Sequence, residues 1–322
     1  MPEARDYKGV AVLVPCYNEE ITVGKVVADF RRALPGAAVY VFDNNSKDRT
    51  AELARAAGAI VVPSPRQGKG HVVRHMFAAI EADAYLMVDG DDTYPAAAAP
   101  QLLEVFSRGG IDMIVGARIE RSATGAFRRF HRFGNHLVAR LIAWLFRVPA
   151  TDVMSGYRVF SRAFVKAVPL LSEGFEIETE MTLQASAKGY VFREVPIDYG
   201  VRPEGSVSKL STYSDGFLVL RTILLIFKDY KPLIFFTALA ALCAALSILC
   251  GWGPVQDYIT TGFVPRFPRA ILAAALGILS GISLGVGLIL DTLAKFQREN
   301  FELWHRHFSR RDDEASGSQN SV

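Results

Sequence analysis

Two aspartates flank a glycine, Asp89 and Asp91, at the end of an apolar run in the string LMVDGDDTYP. Carboxylates so spaced, where a strand gives way to a turn, can face one cation, and their hard oxygens suit Mg2+ or Mn2+. A cation there draws charge from a bound diphosphate and makes it a better leaving group. The same pair also fits an acidic turn capping the next helix. Basic residues supply the complementary chemistry. Arg118 closes the string IVGAR, and Arg128, Arg129 and Arg132 lead to Asn135 in RRFHRFGN. TDVMSGYRVF carries Asp152, Ser155 and Arg158, and RPEGSVSKL carries Arg202, Ser206, Ser208 and Lys209. Guanidinium groups bind phosphate through paired hydrogen bonds, although a basic face turned to solvent or lipid headgroups has the same composition. In FEIETEMT, Glu176, Glu178 and Glu180 alternate with uncharged residues and read first as a helix start made acidic to match its dipole. His71 and His75 stand four apart on a predicted helix, without the glutamate or third ligand of a zinc site, and read as structural.

These residues need a scaffold that brings them together. Short apolar runs at Gly9–Val14, Ala38–Phe42, Ala59–Val62, Tyr85–Val88 and Met113–Val115 read as buried strands. Helical patterns fall between them at Glu20–Leu34, Asp48–Ala57, Lys69–Ala82 and Ala97–Ser107. That alternation predicts an α/β fold with a mostly parallel, doubly wound, Rossmann-like sheet. In such sheets the chemistry gathers beyond the carboxyl ends of the strands, where Pro15–Glu20, Asp43–Asp48 and Asp89–Asp92 all fall.

The strings VAVLVPCYNEE (Val10–Glu20), DNNSKDRT (Asp43–Thr50) and RQGKG (Arg66–Gly70) join the DxD string. Together they resemble the inverting glycosyltransferases of the GT-A fold. The nearest resemblance is to the polyprenyl-phosphate glycosyltransferases, the group that includes dolichol-phosphate mannose synthases and bacterial undecaprenyl-phosphate glucosyl- and aminoarabinosyl-transferases. It runs from about Lys8 to Leu290. It implies that Pro15, Tyr17, Asn18 and Glu19 line the nucleotide pocket, that Asp43 contacts the base, and that Gly68, Lys69 and Gly70 form the loop beside base and ribose. Asp89 and Asp91 would meet diphosphate and metal, and Asp152 is the matched position for a base or orienting group. Arg118, Arg129, Arg132, Asn135, Ser155, Arg158, Arg202, Ser206 and Lys209 would serve the acceptor phosphate and the diphosphate. Two positions depart from the family pattern. The turn after the second strand reads Asp-Asn-Asn-Ser where Asp-Asp-Gly-Ser is frequent, and Thr93 stands where Gln is frequent, so that Asp92 becomes the alternative third ligand.

The chain of 322 residues carries a formal charge of +3, too small to imply a nucleic-acid partner. Half of it is hydrophobic, and the apolar excess lies in the last third. Leu233–Trp252 and Ala270–Leu290 hold no charged residue. Each has about the 20 residues a bilayer-spanning helix requires, and together they predict a transmembrane hairpin. Lys228, Lys231, Lys295, Arg298, Arg306, Arg310 and Arg311 flank the pair, against Arg266 and Arg269 between the spans, which puts both ends in the cytoplasm. Gly277, Gly281 and Gly285 share a predicted helix face suited to close packing on the first span. Met1–Lys8 has no apolar leader. The three cysteines, Cys16, Cys243 and Cys250, suggest no disulfide framework.

The expected organisation is a GT-A domain over 1–210, an interfacial helix over 211–232, two spans over 233–291, and a basic segment with a disordered tail over 292–322. The expected partners are a nucleotide-sugar (UDP-hexose or GDP-mannose), an undecaprenyl or dolichyl phosphate, and a bacterial or archaeal inner membrane. The resemblance also admits a homo-oligomer. A processive polysaccharide synthase is disfavoured, because none of Trp144, Trp252 and Trp304 follows an arginine. An inactive nucleotide-sugar-binding scaffold and a transferase acting on another lipid acceptor stay open as alternatives.

Overall fold

The computed structural model describes residues 7–119, 151–203, 205 and 212–319. Packing divides the chain into Met1–Ile223 and Leu224–Val322. The first unit is built on a seven-stranded sheet in the order β3-β2-β1-β4-β6-β5-β7. Its strands are β1 (Val10–Cys16), β2 (Ala38–Asp43), β3 (Ile60–Pro63), β4 (Ala84–Met87), β5 (Met113–Ile119), β6 (Arg158–Ser161) and β7 (Phe192–Asp198). The five strands expected from the apolar runs all form. β1 reaches Cys16, past the expected end at Val14, because it continues its parallel ladder with β2 as far as Asp43. Val12, Leu13 and Val14 are fully buried, as befits a strand covered on both faces.

The helices are α1 (Val23–Ala33), α2 (Thr50–Ala56), α3 (Lys69–Ala79), α4 (Ala99–Ser107), α5 (Arg162–Ala167) and α6 (Ile177–Ala187). α1 shows why such segments are helical. Val23, Val26, Val27 and Phe30 fall on one face and are buried, while Arg31 and Arg32 complement the carbonyl end. Burying Phe30 alone contributes about 1.5–3 kcal/mol, and its ring meets Tyr157 edge-on at 5.9 Å.

β6 bears on function. It pairs antiparallel with both β4 and β5, whereas β1, β2, β3 and β4 pair in parallel and β5 pairs in parallel with β7. Because β6 runs backwards, the residues just before it arrive at the sheet edge where β1, β2, β4 and β5 end. Asp152, Ser155 and Gly156 therefore stand on the same edge as Asp89 and Asp91.

The two units share α7 (Thr212–Tyr230), and the second also holds α8 (Pro232–Thr261) and α9 (Phe267–Gln319). α8 and α9 contain apolar windows of mean hydropathy 2.6 and 2.2, only 11% buried in each case. A core helix of that composition would be enclosed. Here Ile248, Leu249 and Ile289 are mostly exposed, which is consistent with a membrane hairpin. The pair runs antiparallel and is tied by reciprocal bonds. Ser247 Oγ donates to Ala273 O at 2.7 Å and Ser280 Oγ donates to Ala240 O at 2.8 Å.

The helices extend past the uncharged stretches, and the expectation for the glycine face is corrected. The first helix runs past the uncharged stretch and Pro254 to Thr261, where Gly262 closes it at φ 73°, and Asp257 pairs with Arg266 across the turn. The glycine face is only partly used. A β-carbon on Gly277 would lie 3.3 Å from Ser247 Oγ, but Gly281 and Gly285 have nothing within 4 Å, and Gly287 packs on Phe236 instead. Contacts at positions 273, 277, 280 and 287 follow a repeat near 3.5 residues, from which a strict spacing of four drifts away. α9 is assigned as far as Gln319.

Candidate active site

Three loops, after β1, β2 and β3, line one part of the sheet edge and are tied to one another. Asn18, at φ 52°, donates its N–H to Ser46 Oγ at 2.9 Å and accepts from Lys47 N at 2.8 Å. Glu19 N donates to Thr50 Oγ1, and Glu20 N to Asp48. The motif after β1 is thus clamped to the turn after β2, with Pro15 and Tyr17 half-buried beside it. In that turn Asp43 accepts from Ser46 N at 3.3 Å. Asn44 is buried and spans to the third loop, donating to Ser64 O and Arg66 O and accepting from Gly68 N. Asn45 lies at φ 61°, a conformation glycine and asparagine adopt most readily. That accounts for the Asp-Asn-Asn-Ser turn.

Gly68 and Gly70 have a partner the sequence does not announce. Gly68 lies against the backbone of Glu173, and Gly70 against that of Ser172 and Glu173. A β-carbon on Gly70 would come within 2.7 Å of the Ser172 carbonyl carbon, and one on Gly68 would run into Glu173 O. Gly70 N donates to Glu173 O at 2.9 Å. Lys69, between the glycines, reaches two carboxylates at once, Asp89 and Glu178, each at 2.5 Å. Burial alone would lower its proton affinity, but these carboxylates outweigh burial and hold it well above the ordinary lysine range. Burial pushes Glu178 up more strongly than Lys69 pulls it down.

The DxD turn is braced on every side. Thr22 Oγ1 donates to Gly90 O at 2.6 Å. Thr93 donates to Asp91 through Oγ1 at 2.6 Å and through N at 3.2 Å, so it orients Asp91 rather than replacing a glutamine ligand. Arg202 pairs with the other oxygen of Asp91. Asp92, at φ 58°, is turned to Lys25 at 2.8 Å and away from Asp89 and Asp91, against the expectation that it could complete a ligand set. Among the described residues no group of three His, Cys, Asp or Glu could hold a metal. His71 lies against Arg74, and His75 against Ser64 and the Phe42 ring. Asp89 and Asp91 nonetheless fit a hard divalent ion that draws its other ligands from a diphosphate and water, since both are oxygen donors that already attract cations.

The other part of the edge begins at Arg118. Its Nε and NH2 donate to both oxygens of Asp152 at 2.7 Å, and its backbone N–H adds a third bond. Its guanidinium lies over the Tyr199 ring at 5.3 Å. Burial would raise Asp152, but the bonds from Arg118 prevail and hold it below the usual carboxylate range. Glu194 fixes the loop by accepting from Thr151 N, Thr151 Oγ1 and Asp152 N. Gly156 leaves room for Asp89, whose Cγ would be 2.8 Å from a β-carbon there.

Two members of the expected acceptor set face inward. Arg158 is fully buried. It donates to Ser155 O, Val153 O and Thr182 Oγ1, and burial lowers its pKa to about 10. Ser155 is also fully buried and donates to Gly116 O. Both brace the loop before β6 instead of reaching a ligand. Arg129, Arg132, Asn135, Ser206 and Lys209 lie outside the described residues. The sequence reading passed over Thr22, Asn44, Glu194 and Tyr199, and it gave Glu178 to the helix dipole. The one signal for Glu178 was its spacing. Two residues along a helix is a turn of about 200°, which sends Glu178 away from the side that Glu176 and Glu180 share.

The family described as Glycosyl transferase family 2 matches residues 11–168. Glycosyltransferase AglJ of Haloferax volcanii is 33% identical over 91% of this chain and 96% of its own. The dolichyl-phosphate hexose transferase of the same organism is 32% identical over 67% of this chain and 93% of its own. Among solved structures, glucosyl-3-phosphoglycerate synthase from Mycobacterium tuberculosis, in complex with Mn2+, UDP and glucosyl-3-phosphoglycerate, superposes with a TM-score of 0.57. It is 23% identical and covers 68% of this chain and 80% of that one, a likeness of fold.

Proposed function

The chain belongs to glycosyl transferase family 2, and from that premise we propose that it transfers a hexose from a nucleotide-sugar to a polyprenyl phosphate at the cytoplasmic face of a membrane. The observation that carries the acceptor half is Arg118 with both oxygens of Asp152 on one edge of its guanidinium, on the same sheet edge as Asp89 and Asp91. A guanidinium fixed this way suits an anionic acceptor. The apolar hairpin suits an acceptor with a long lipid tail, and the similarity to a dolichyl-phosphate hexose transferase supports the pairing.

The chemistry is a single in-line displacement. An oxygen of the lipid phosphate attacks the anomeric carbon. The bond from that carbon to the β-phosphate oxygen breaks, and its electron pair leaves on the nucleoside diphosphate. No proton need move, because a phosphate monoester with a second pKa of about 6 is already ionised. Asp152 is therefore an orienting group. A carboxylate spent on Arg118 and held below its ordinary range is a poor base. A Mg2+ or Mn2+ ion at Asp91 and Asp89 would supply charge to the leaving diphosphate. Arg202, beside Asp91, adds a positive charge on the same side. Preorganised charge of this kind acts without reorganisation at the moment of reaction.

The test is a transfer assay on the full chain in detergent, with Mn2+ or Mg2+, undecaprenyl or dolichyl phosphate, and labelled UDP- and GDP-sugars. The expected product is an organic-soluble label released by mild acid and lost in Asp91→Asn. Acid-stable lipid label would overturn the phosphate acceptor, and absence of product from every donor would overturn the transfer.

A further inference from the structure

The loop 171–174, the start of α6 and the glycine loop before α3 form one seam. Two of the three glutamates in FEIETEMT shape the loop. Glu180 accepts from Leu171 N and Ser172 N, and Glu176 accepts from Glu173 N and Gly174 N. The loop so shaped is the one Gly68 and Gly70 pack against. Glu178 makes no bond to it. It turns to Lys69, which also meets Asp89 and lies 5.5 Å from the centre of the Phe175 ring. Glu178 is 3% exposed, and a buried carboxylate without a counter-charge is strongly unfavourable, so the seam keeps Glu178 and Lys69 together. Lys69 is thereby held from behind while its ammonium faces the first aspartate of the DxD turn.

We infer that Glu178 is a positioning residue for the donor site, acting through Lys69 to fix Asp89. Glu178 pairs with Lys69, which meets Asp89 of the DxD turn, so its direct pairing falls on the nucleotide-diphosphate side. This role rests on the nucleotide-sugar reading above. Loss of the charge on Glu178 frees Lys69 from one of its two anchors. Donor affinity should then fall on the order of tenfold to a hundredfold, about the worth of one charge-assisted hydrogen bond.

The experiment measures UDP and GDP binding, with Mn2+, to the full chain in detergent for wild type, Glu178→Gln, Lys69→Gln and the double variant. It also measures the KM for undecaprenyl phosphate. The expected result is weaker nucleotide binding in each single variant, a double variant no worse than Lys69→Gln, and an unchanged KM for the lipid. A role confined to folding would lower the active fraction and leave nucleotide affinity intact, and that outcome overturns the inference. Additive losses in the double variant overturn it as well, since Glu178 would not then act through Lys69. Should Glu178→Gln not accumulate, Glu178→Asp keeps the charge, shortens the reach and carries the same comparison. Wild type that binds neither nucleotide refutes the nucleotide-sugar reading together with this role. Wild-type binding that Glu178→Gln leaves unchanged refutes the role alone.

Discussion

Alanine at Gly70 would place a methyl carbon 2.7 Å from the Ser172 carbonyl carbon and 2.9 Å from that of Glu173, where ordinary contact begins at 3.4 Å. Both obstacles are backbone and the Ser172 oxygen lies nearer still, so no side chain can swing aside, and the seam must open by more than about 0.7 Å in a close-packed region. Overpacking of this kind costs about 1–3 kcal/mol. Loss of the bond from Gly70 N to Glu173 O adds about 1 kcal/mol. The better helix propensity of alanine offsets up to ~1 kcal/mol. The net expectation for Gly70→Ala is a loss of about 1–3 kcal/mol, or roughly 5 °C in melting temperature for a unit of this size. Nucleotide binding weakens with it, because Lys69 is carried on the displaced turn. Gly24→Ala is the control. Nothing lies within 4 Å of a β-carbon there and the site is inside α1, so alanine should be neutral or stabilising by up to about 1 kcal/mol. Thermal unfolding of both variants in detergent decides the matter. A Gly70→Ala protein as stable as wild type, or a Gly24→Ala protein equally damaged, would refute the close-approach account.

Asp152→Asn should retain measurable turnover and raise the KM for lipid phosphate on the order of tenfold, as Arg118 loses a charged partner. Complete loss of activity with donor binding intact would instead make Asp152 a base. The lowered pKa of Asp152 gives a signed pH dependence. Its stabilising contribution is fully present above the ordinary aspartate value of 3.8 and is lost as pH falls through the lower folded value, so urea titrations of wild type and Asp152→Asn should converge in that acid range. Arg158→Met strips Val153 O, Ser155 O and Thr182 of a shared donor and should cost about 3–5 kcal/mol, seen as a lower unfolding midpoint. Ser247→Ala and Ser280→Ala each remove one interhelical bond. Each should loosen the hairpin by about 0.6 kcal/mol, additively, as read by unfolding in mixed micelles.

The half of the sheet edge that bears the DxD turn was legible because its loops follow strands that announce themselves as apolar runs, and its polar clusters sit where those runs end. β6 was harder. The string RVFS is four residues long, begins with an arginine, and carries no alternation to mark it. For the same reason Arg158 looked like its neighbours Arg118 and Arg129. Composition does not say which arginine enters the middle of a sheet, and only pairing with β4 and β5 turned this one inward. Gly68 and Gly70 advertised the absence of a side chain but not what fills the space, since Ser172 and Glu173 lie about a hundred residues away in sequence. Glu178 was hidden by the dipole explanation, which fits any acidic first turn. In the hairpin, the spacing of four between glycines suggested a face that the actual helix crossing only grazes.

The reversed strand inside the sheet also sets an order in time. β1 to β4 are contiguous neighbours made from residues 10–87, so their parallel half can assemble as soon as that stretch has left the ribosome. β5 has no place beside β4. It joins only through β6, and must wait until residue 161 has been synthesised. Non-local pairings of this sort are slow, and until β6 arrives the flank of β4 is an open edge of the kind that invites wrong partners. The apolar hairpin begins only at Pro232, after β7 has closed the far side. Synthesis thus delivers the half that bears the DxD turn first, the half that bears Arg118 and Asp152 second and the apolar hairpin last, and a pause between residues 119 and 158 is where the nascent chain is most exposed to aggregation.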